Sequence, residues 1–439
     1  MDKSKTVFIL GAGASKTINL PMQNELLSCI FQLKSPKFNV ESSIMQLQFN
    51  QNEQILLKLY EQFNQQRMKL ADFIINNFGI HALVAEYLAI SPTIDLSNLP
   101  TNDIMFRIFN IASRVTVTLE DIYTLFDKII IGREHFRLYS SENIQEIHKS
   151  LCKCIIYTIA YFNVVYVSEN NPVKTFAQKL LECRLSSGAA INRISVVTMN
   201  WDAYLEKTLF SLCEEHNNAN ARKKVYPDLC FYDYCYNAHD NRVVSTQVRA
   251  KGHRNIKILK LHGSINWLVC PRCGRVYVDY FQDIAVNELL NETFCRLCHE
   301  EFHGNSSSPQ MHDLIITPTF LKDLNSLNIK NIWHNALIEL SEASKVVFIG
   351  YSFPDADFEM RCLLKKALKP ETKIDVVLHS TDDPQYYRSM LVGYVGIDQI
   401  VAKLSLPEGR YRSFFGKTGL DFFYCGMEEY VNNILTEDI

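Results

Sequence analysis

Neither sign of charge dominates this 439-residue chain: 45 Lys and Arg stand against 48 Asp and Glu, a formal net charge of -3. That balance removes the bulk attraction on which a nucleic-acid coat or an anionic membrane surface relies, so direct nucleic-acid binding is not expected. Long apolar runs are missing too. The longest, Ile155 to Val167, covers only about a dozen residues and carries Thr158 and Asn163, short of the ~20 that a membrane helix needs. It reads as a buried helix or strand, and no membrane association is expected. The opening MDKSKTVFILGAGAS has none of the features of a cleavable leader, so the 13 cysteines are expected to be reduced thiols of a cytoplasmic protein and not a disulfide framework. Internal repeats and long low-complexity tracts are absent. With 47% hydrophobic and 21% charged residues the chain can build a core. More than one module is expected, since single cores stop growing near ~250 to 300 residues.

What the chain does have is a series of short apolar runs without polar alternation: Thr6 to Leu10, Ile194 to Thr198, Ile256 to Leu261, Leu314 to Thr317, Val346 to Ile349 and Ile374 to Leu378. Such runs predict strands buried on both faces of a largely parallel, Rossmann-like α/β sheet. Between the first and second run the apolar spacing is helical. Leu119, Ile122, Leu125, Phe126 and Ile129 share one face, and Thr118 with Asp121 has the form of a capping box. This stretch predicts a large helical insertion. From Cys270 to about Ser308 the texture changes to paired cysteines and a flexible end at Gly304 to Pro309, which predicts a small metal-stapled module. The last stretch, including Met427 to Leu435, predicts strand-plus-helix packing at the rim of the sheet.

Several segments carry chemistry. The first strand runs directly into Gly11, Gly13 and Ser15, a turn that could bring backbone amides and a helix N-terminus to a pyrophosphate. The third glycine of the dehydrogenase fingerprint would fall on Lys16, which counts against hydride transfer. Gly416-Lys417-Thr418 imitates the end of a phosphate loop, but the required first glycine is Tyr411, so an ordinary turn is expected. Cys270 and Cys273, then Cys295 and Cys298 about twenty residues later, fit two knuckles of one closed tetrahedral zinc site, structural because no coordination position stays open. His299 and His303 are near enough to replace a ligand but read as surface residues. Asn200 and Asp202 follow the second strand, where open α/β sheets present ligand-binding groups, although both could equally cap a helix over Ala203 to Leu212. His262 ends another strand beside Gly263 and Ser264, a sensible place for a base.

In order and content these pieces resemble the sirtuin family. Gly11-Ala12-Gly13-Ala14-Ser15 resembles its NAD-binding opening, and Thr198-Met199-Asn200-Trp201-Asp202 its Thr-Gln-Asn-Ile-Asp motif. His262-Gly263-Ser264 is similar to the segment carrying the catalytic histidine, followed by the four zinc cysteines, and Gly350-Tyr351-Ser352 to the late Gly-Thr-Ser turn. The resemblance implies that NAD is bound by Gly11, Ala12, Gly13, Ser15, Asn200, Asp202, Gly350 and Ser352, with Asn200, Asp202 and His262 catalytic. Departures count against acetyl-lysine chemistry. Asn19-Leu20-Pro21-Met22-Gln23-Asn24 lacks the family's Phe-Arg pair, Met199 replaces its glutamine, and His379-Ser380 stands at its late asparagine. Leu20-Pro21-Met22, Leu119-Glu120-Asp121-Ile122 and the run from Gly350 to Asp357 resemble the sirtuin-like NAD-hydrolysing effectors of bacterial antiphage systems, several of which assemble with a HerA-type ATPase or another sensor subunit. The resemblance therefore implies an oligomeric NAD glycohydrolase. An NAD-dependent lysine deacylase and a non-catalytic sensor of an NAD-derived ligand remain the alternatives. The expected organisation is a first strand and NAD-binding turn over 1–30, the helical insertion over 31–189, the Rossmann-like domain continued over 190–264 and 309–385, the zinc module over 265–308 and a C-terminal segment over 386–439.

Overall fold

A computed structural model of the chain describes residues 4–33, 53–78, 118–168, 170–187, 192–220, 223–230, 236–237, 254–280, 285, 293–295, 297–298, 310–379, 406–416 and 419–434. Its strands are β1 (Thr6–Leu10), β2 (Ile194–Thr198), β3 (Val225–Asp228), β4 (Tyr236–Asn237), β5 (Arg254–Lys260), β6 (Gly263–Val269), β7 (Val276–Val278), β8 (His312–Ile315), β9 (Lys345–Ile349), β10 (Lys373–Val377) and β11 (Leu420–Phe423). Seven form one sheet in the order β11-β10-β9-β1-β2-β5-β3, with every pair parallel. β1 and β2 are buried at every position, which explains their lack of polar alternation: a parallel strand has no wet face.

The helices Pro172–Ser186, Tyr204–Ala219, Leu327–Ser341 and Phe358–Ala367 supply that cover, and their buried residues join the strands in one hydrophobic core. Phe176 meets Phe8 edge to face at 5.1 Å. Thus the helix Pro172–Ser186, inside the interval predicted as insertion, packs on the sheet. The chain passes from β1 to β2 on one side and reaches β9 on the other, so the strand order reverses between β1 and β9. That is where open α/β sheets form a ligand crevice.

Register makes the crevice specific. Leu10 stands opposite Thr198 on one side and Ile349 on the other, and Thr198 stands opposite Lys260. The residues that leave these strands, Gly11, Met199, Leu261 and Gly350, therefore emerge side by side at the same carboxyl edge.

The run at Leu314 departs from expectation. It is β8, which is antiparallel to β6 in a second sheet of order β4-β7-β6-β8. His262-Gly263 is correspondingly the reversal from β5 into β6. Gly263 has φ of +75° there, and a side-chain Cβ would stand 1.8 Å from the Leu314 carbonyl oxygen. β3, the last of the described strands on its side of the sheet, is too short and too interrupted by Pro227 to read from sequence.

The helices Glu53–Phe78, Leu119–Gly132 and Ser141–Val165 build a second core, and Ile155 to Val165 belongs to the last of them. Thr118 caps as its sequence implies: its hydroxyl accepts from the Asp121 amide at 3.1 Å, while Asp121 Oδ2 accepts from the Thr118 amide at 3.1 Å. Leu125 on that helix is only half-buried, and Tyr123 is buried instead. This core continues into the cysteine module through Ile265, Leu268, Cys270, Tyr277, Cys295 and Cys298, so the two share an interior. β11 ends the described strand order and is followed by the helix Gly426–Glu429. No helix among the described residues is long and apolar enough to cross a membrane. His299, His303, residues 304–309, Ser380, Lys417 and Thr418 lie outside the described residues.

Candidate active site

At the carboxyl edge of β1, β2, β5 and β9 opens a cavity of about 960 Å³. Gly11, Ala12, Gly13, Ser15, Asn200, Asp202, His262, Gly350 and Ser352 all line it. Segments far apart in sequence thus meet, because the level register of the parallel strands delivers their carboxyl ends to one place.

The glycines are required first by backbone proximity. The Gly13 amide donates to the Gly350 carbonyl at 2.8 Å, and the Gly11 amide to Ile349 at 3.0 Å. A Cβ on Gly350 would stand 2.2 Å from the Ala14 nitrogen, one on Gly11 2.5 Å from the Tyr351 Cα, and Gly350 also has φ of +61°. The two turns are pressed together with no room for a side chain. The Gly13 amide, expected from sequence to be offered to a pyrophosphate, is committed to this junction.

One wall of the cavity is a chain of short hydrogen bonds that ends on a carboxylate, above a buried ion pair. Asn200 Nδ2 donates to the Gly11 carbonyl at 2.9 Å and to Ser15 Oγ at 2.8 Å, and Ser15 in turn donates to Asp202 Oδ2 at 2.7 Å. The Asn200 amide nitrogen and the Asp202 carboxylate are therefore oriented before any ligand arrives. The capping alternative also has substance, since Asp202 Oδ1 accepts from the Tyr204 amide at 3.2 Å. Beneath, Lys260 Nζ donates to the Asp202 carbonyl and pairs with Glu206 at 2.7 Å, each side chain 1% exposed. Burial pushes the Glu206 carboxyl up, and Lys260 opposes that. Ser264 adds a donor to Glu206 at 3.1 Å.

The other wall is charged. His262, 6% exposed, places Nε2 3.8 Å from Asp357 Oδ1. Burial drives the imidazole below its ordinary value against the upward pull of Asp357, so the ring is neutral near pH 7. Asp357 also accepts from the Tyr351 hydroxyl at 2.8 Å and lies 3.3 Å from Lys322 Nζ, whose side chain is fully buried. Glu120, from the first turn of the helix Leu119–Gly132, lines the same cavity, accepts from Gln23 Nε2, and is pushed up by burial. Asp357 and Glu120 had no role read from sequence. Nothing in their spacing relates them to His262. His379, Arg410, Gly426 and Glu428 also line the cavity.

The four cysteines meet the geometric test for a metal. Their sulfurs all lie within 4.8 Å of one another, with Cys270 to Cys298 at 3.9 Å and Cys273 to Cys295 at 3.8 Å. A tetrahedron with zinc–sulfur bonds of about 2.3 Å has edges of about 3.8 Å. Cys270, Cys273, Cys295 and Cys298 can therefore hold a zinc ion. Four thiolates would leave a bound ion no open coordination position, and none of the four lines the cavity. Among the described residues no other metal-ligating cluster of this kind occurs.

No curated protein sequence matches the chain. Among solved structures it is similar to a Sir2 homologue in complex with NAD, at 9% identity with TM-score 0.39, covering 99% of this chain and 88% of that one. It is likewise similar to Sir2 bound to a p53 peptide and NAD+, at 13% identity with TM-score 0.35, covering 99% and 93%. Residues 194–389, which carry Asn200, Asp202, His262, the four cysteines and Gly350, match the model of the SIR2-like domain.

Proposed function

We propose that the cavity binds NAD and that Asn200, Asp202 and His262 direct cleavage of its nicotinamide–ribose bond with water as acceptor, making the protein an NAD glycohydrolase. The observation that carries this reading is the convergence of all the sequence-predicted nucleotide and catalytic residues on one cavity at the reversal of strand order. The SIR2-like match over the segment holding Asn200 and His262 supports the same class of chemistry.

Loss of nicotinamide leaves an oxocarbenium-like ribose, so a site must orient the carboxamide, stabilise positive charge and admit a nucleophile. Asn200 and Asp202 are pre-set by Ser15 and Gly11 for the first task. Carboxylates at Asp202 and Asp357 favour developing positive charge. His262, neutral by burial, can accept a proton from a ribose hydroxyl or from the incoming water. Water is favoured over an acyl-lysine because the opening 19–24 lacks the Phe-Arg pair of deacetylating sirtuins, and because Glu120 of the helical unit stands at the cavity.

The same reading extends to regulation. An unrestrained NAD hydrolase would drain its own cell, so the protein acts as a controlled NAD-depleting effector of antiphage defence, as a homo-oligomer or with a HerA-type ATPase or other sensor subunit. The helical unit supports this: it contributes Glu120 to the cavity while keeping Ile131 (70% exposed) and Leu138 (97% exposed) on its surface. Purified protein incubated with NAD, with and without an acetylated peptide, decides the reading. Nicotinamide released without peptide is the expected result. Release only with peptide would make it a deacylase, and binding without release a sensor.

A further inference from the structure

The run after β9 brings a carboxylate to His262 in a way that ordinary helix chemistry does not explain. Asp357 occupies the N-cap position of the helix Phe358–Ala367, where an aspartate normally turns its side chain back to accept from the first helical amides. Here it makes no such bond. The carboxylate is instead directed to the cavity, 7% exposed, with Tyr351 Oη at 2.8 Å on Oδ2 and Lys322 Nζ at 3.3 Å and His262 Nε2 at 3.8 Å on Oδ1. Lys322 is itself anchored by the Thr319 carbonyl at 3.1 Å and by Glu359 at 3.3 Å. Burying the Lys322–Asp357 pair is rarely favourable for stability alone, because desolvation offsets the attraction. The arrangement makes sense if the direction of the Asp357 carboxylate matters.

We propose that Asp357 is a positioning residue for His262: its carboxylate, aimed by Tyr351 and Lys322, holds the imidazole proton on Nε2 and leaves Nδ1 as the basic nitrogen. This rests on the hydrolase reading for its consequence but not for its geometry. A neutral imidazole has one donor nitrogen and one acceptor nitrogen, and the neighbour of one fixes the role of the other. With an acceptor-only carboxylate facing Nε2, the Nε2–H tautomer is favoured, and the ring enters the reaction ready to accept a proton at Nδ1. The charged groups acting on His262 are Asp357 at the N-cap, Glu359 on the following helix and Lys322 on the segment after β8. Glu120, on the helix Leu119–Gly132, feels Asp357 from another side of the cavity. Asp357 is the nearest of the carboxylates to the ring, and the pull it exerts favours the protonated form. Removing its charge therefore moves the titration of His262 to lower pH.

The test uses full-length protein labelled with 15N-histidine, with His262 assigned by comparison with His262→Gln. The wild-type ring is expected as the Nε2–H tautomer. In Asp357→Asn the tautomers mix, the ring titrates at lower pH, and kcat for nicotinamide release falls on the order of 10²-fold with KM for NAD within about threefold. Asp357→Glu keeps the wild-type tautomer and recovers part of kcat. An Asp357→Asn protein with an unchanged His262 spectrum and unchanged kcat overturns the proposal. Should Asp357→Asn fail to fold, Tyr351→Phe removes only one hydroxyl and is expected to shift the same ring signals less; unaltered signals there overturn it as well. If wild-type protein releases no nicotinamide, the hydrolase reading fails, while the tautomer of His262 still decides the pairing.

Discussion

The two walls of the cavity are built on opposite principles. Asn200, Ser15 and Asp202 sit at the ends of adjacent parallel strands, each polar atom handed to a neighbour fixed by sheet register. Across from them, Asp357, Lys322 and Glu120 come from loops and helix termini that no common register controls, and Asp357 makes longer, charged contacts, 3.8 Å to His262 Nε2 and 3.3 Å to Lys322 Nζ. A wall set by register is rigid and tolerates little change. A wall of separately anchored charges can be altered one group at a time, which is where control of a proton belongs.

The largest disturbance should come from behind the first wall. Trp201, between Asn200 and Asp202, shares a core with Cys270, Cys295 and Cys298, and the Ile265 amide donates to its carbonyl at 3.0 Å. Purified protein should contain one zinc per chain. Removing it with a chelator is expected to lower the melting temperature sharply and to change Trp fluorescence, since metal-binding free energy of such modules is folding free energy. Metal-free protein that melts as the holo form would break the link between module and wall.

Gly350→Ala comes next, because it touches the seam that both walls share. With φ of +61° and a Cβ 2.2 Å from the Ala14 nitrogen, a loss of about 3 kcal/mol or more is expected in urea unfolding. Lys260→Met should cost ~3 to 5 kcal/mol by leaving Glu206 charged and buried without its partner. Adding Glu206→Leu should restore much of that loss. Lys322→Met in the other wall is expected to cost less, because the Glu359 side chain is 26% exposed and Asp357 keeps Tyr351. Equal losses for the two lysines would erase the distinction drawn between the walls.

Asn200→Ala is expected to cost ~1 to 3 kcal/mol, since it deletes donors to Gly11 and Ser15, and to cut nicotinamide release by ~10² to 10⁴. Position alone would put Asn200 outside the stability network. Its two hydrogen bonds place it inside, so activity and melting temperature should fall together, with activity falling far more. A stable, active variant would refute both roles.

The smallest effect is that of pH on the second wall. The folded His262 binds a proton less readily than an unfolded histidine, whose ordinary value is 6.5. The folded state thus holds fewer protons, and its stability from this group is present above about 6.5 and declines as pH falls below it. His262→Gln should flatten that part of the stability-against-pH curve, as measured by thermal unfolding between mild acid and neutral pH.

Much of this was legible in the chain. Buried parallel strands show themselves as unbroken apolar runs, which is why β1, β2, β5, β9 and β10 could be read to within a residue or two. Cysteines paired at this spacing rarely serve anything but a metal, and Thr118 with Asp121 caps a helix by local chemistry alone. β8 was misplaced because an apolar run does not say which sheet it joins, and β3 was missed because it is too short and too interrupted by Pro227 to read from sequence. The residues Gly11, Asn200, His262 and Gly350 were recognisable as ends of strands, since the chain must turn once a buried strand ends and is exposed there to a ligand. That they lie at one level was decided by register, through Leu10 standing opposite Thr198 and Ile349. That Gly13 is committed to Gly350, that Asp357 faces His262 instead of capping its helix, and that the helical unit lends Glu120 to the cavity were decided only by tertiary packing. Each depends on contacts between segments whose separation in sequence carries no periodic signal.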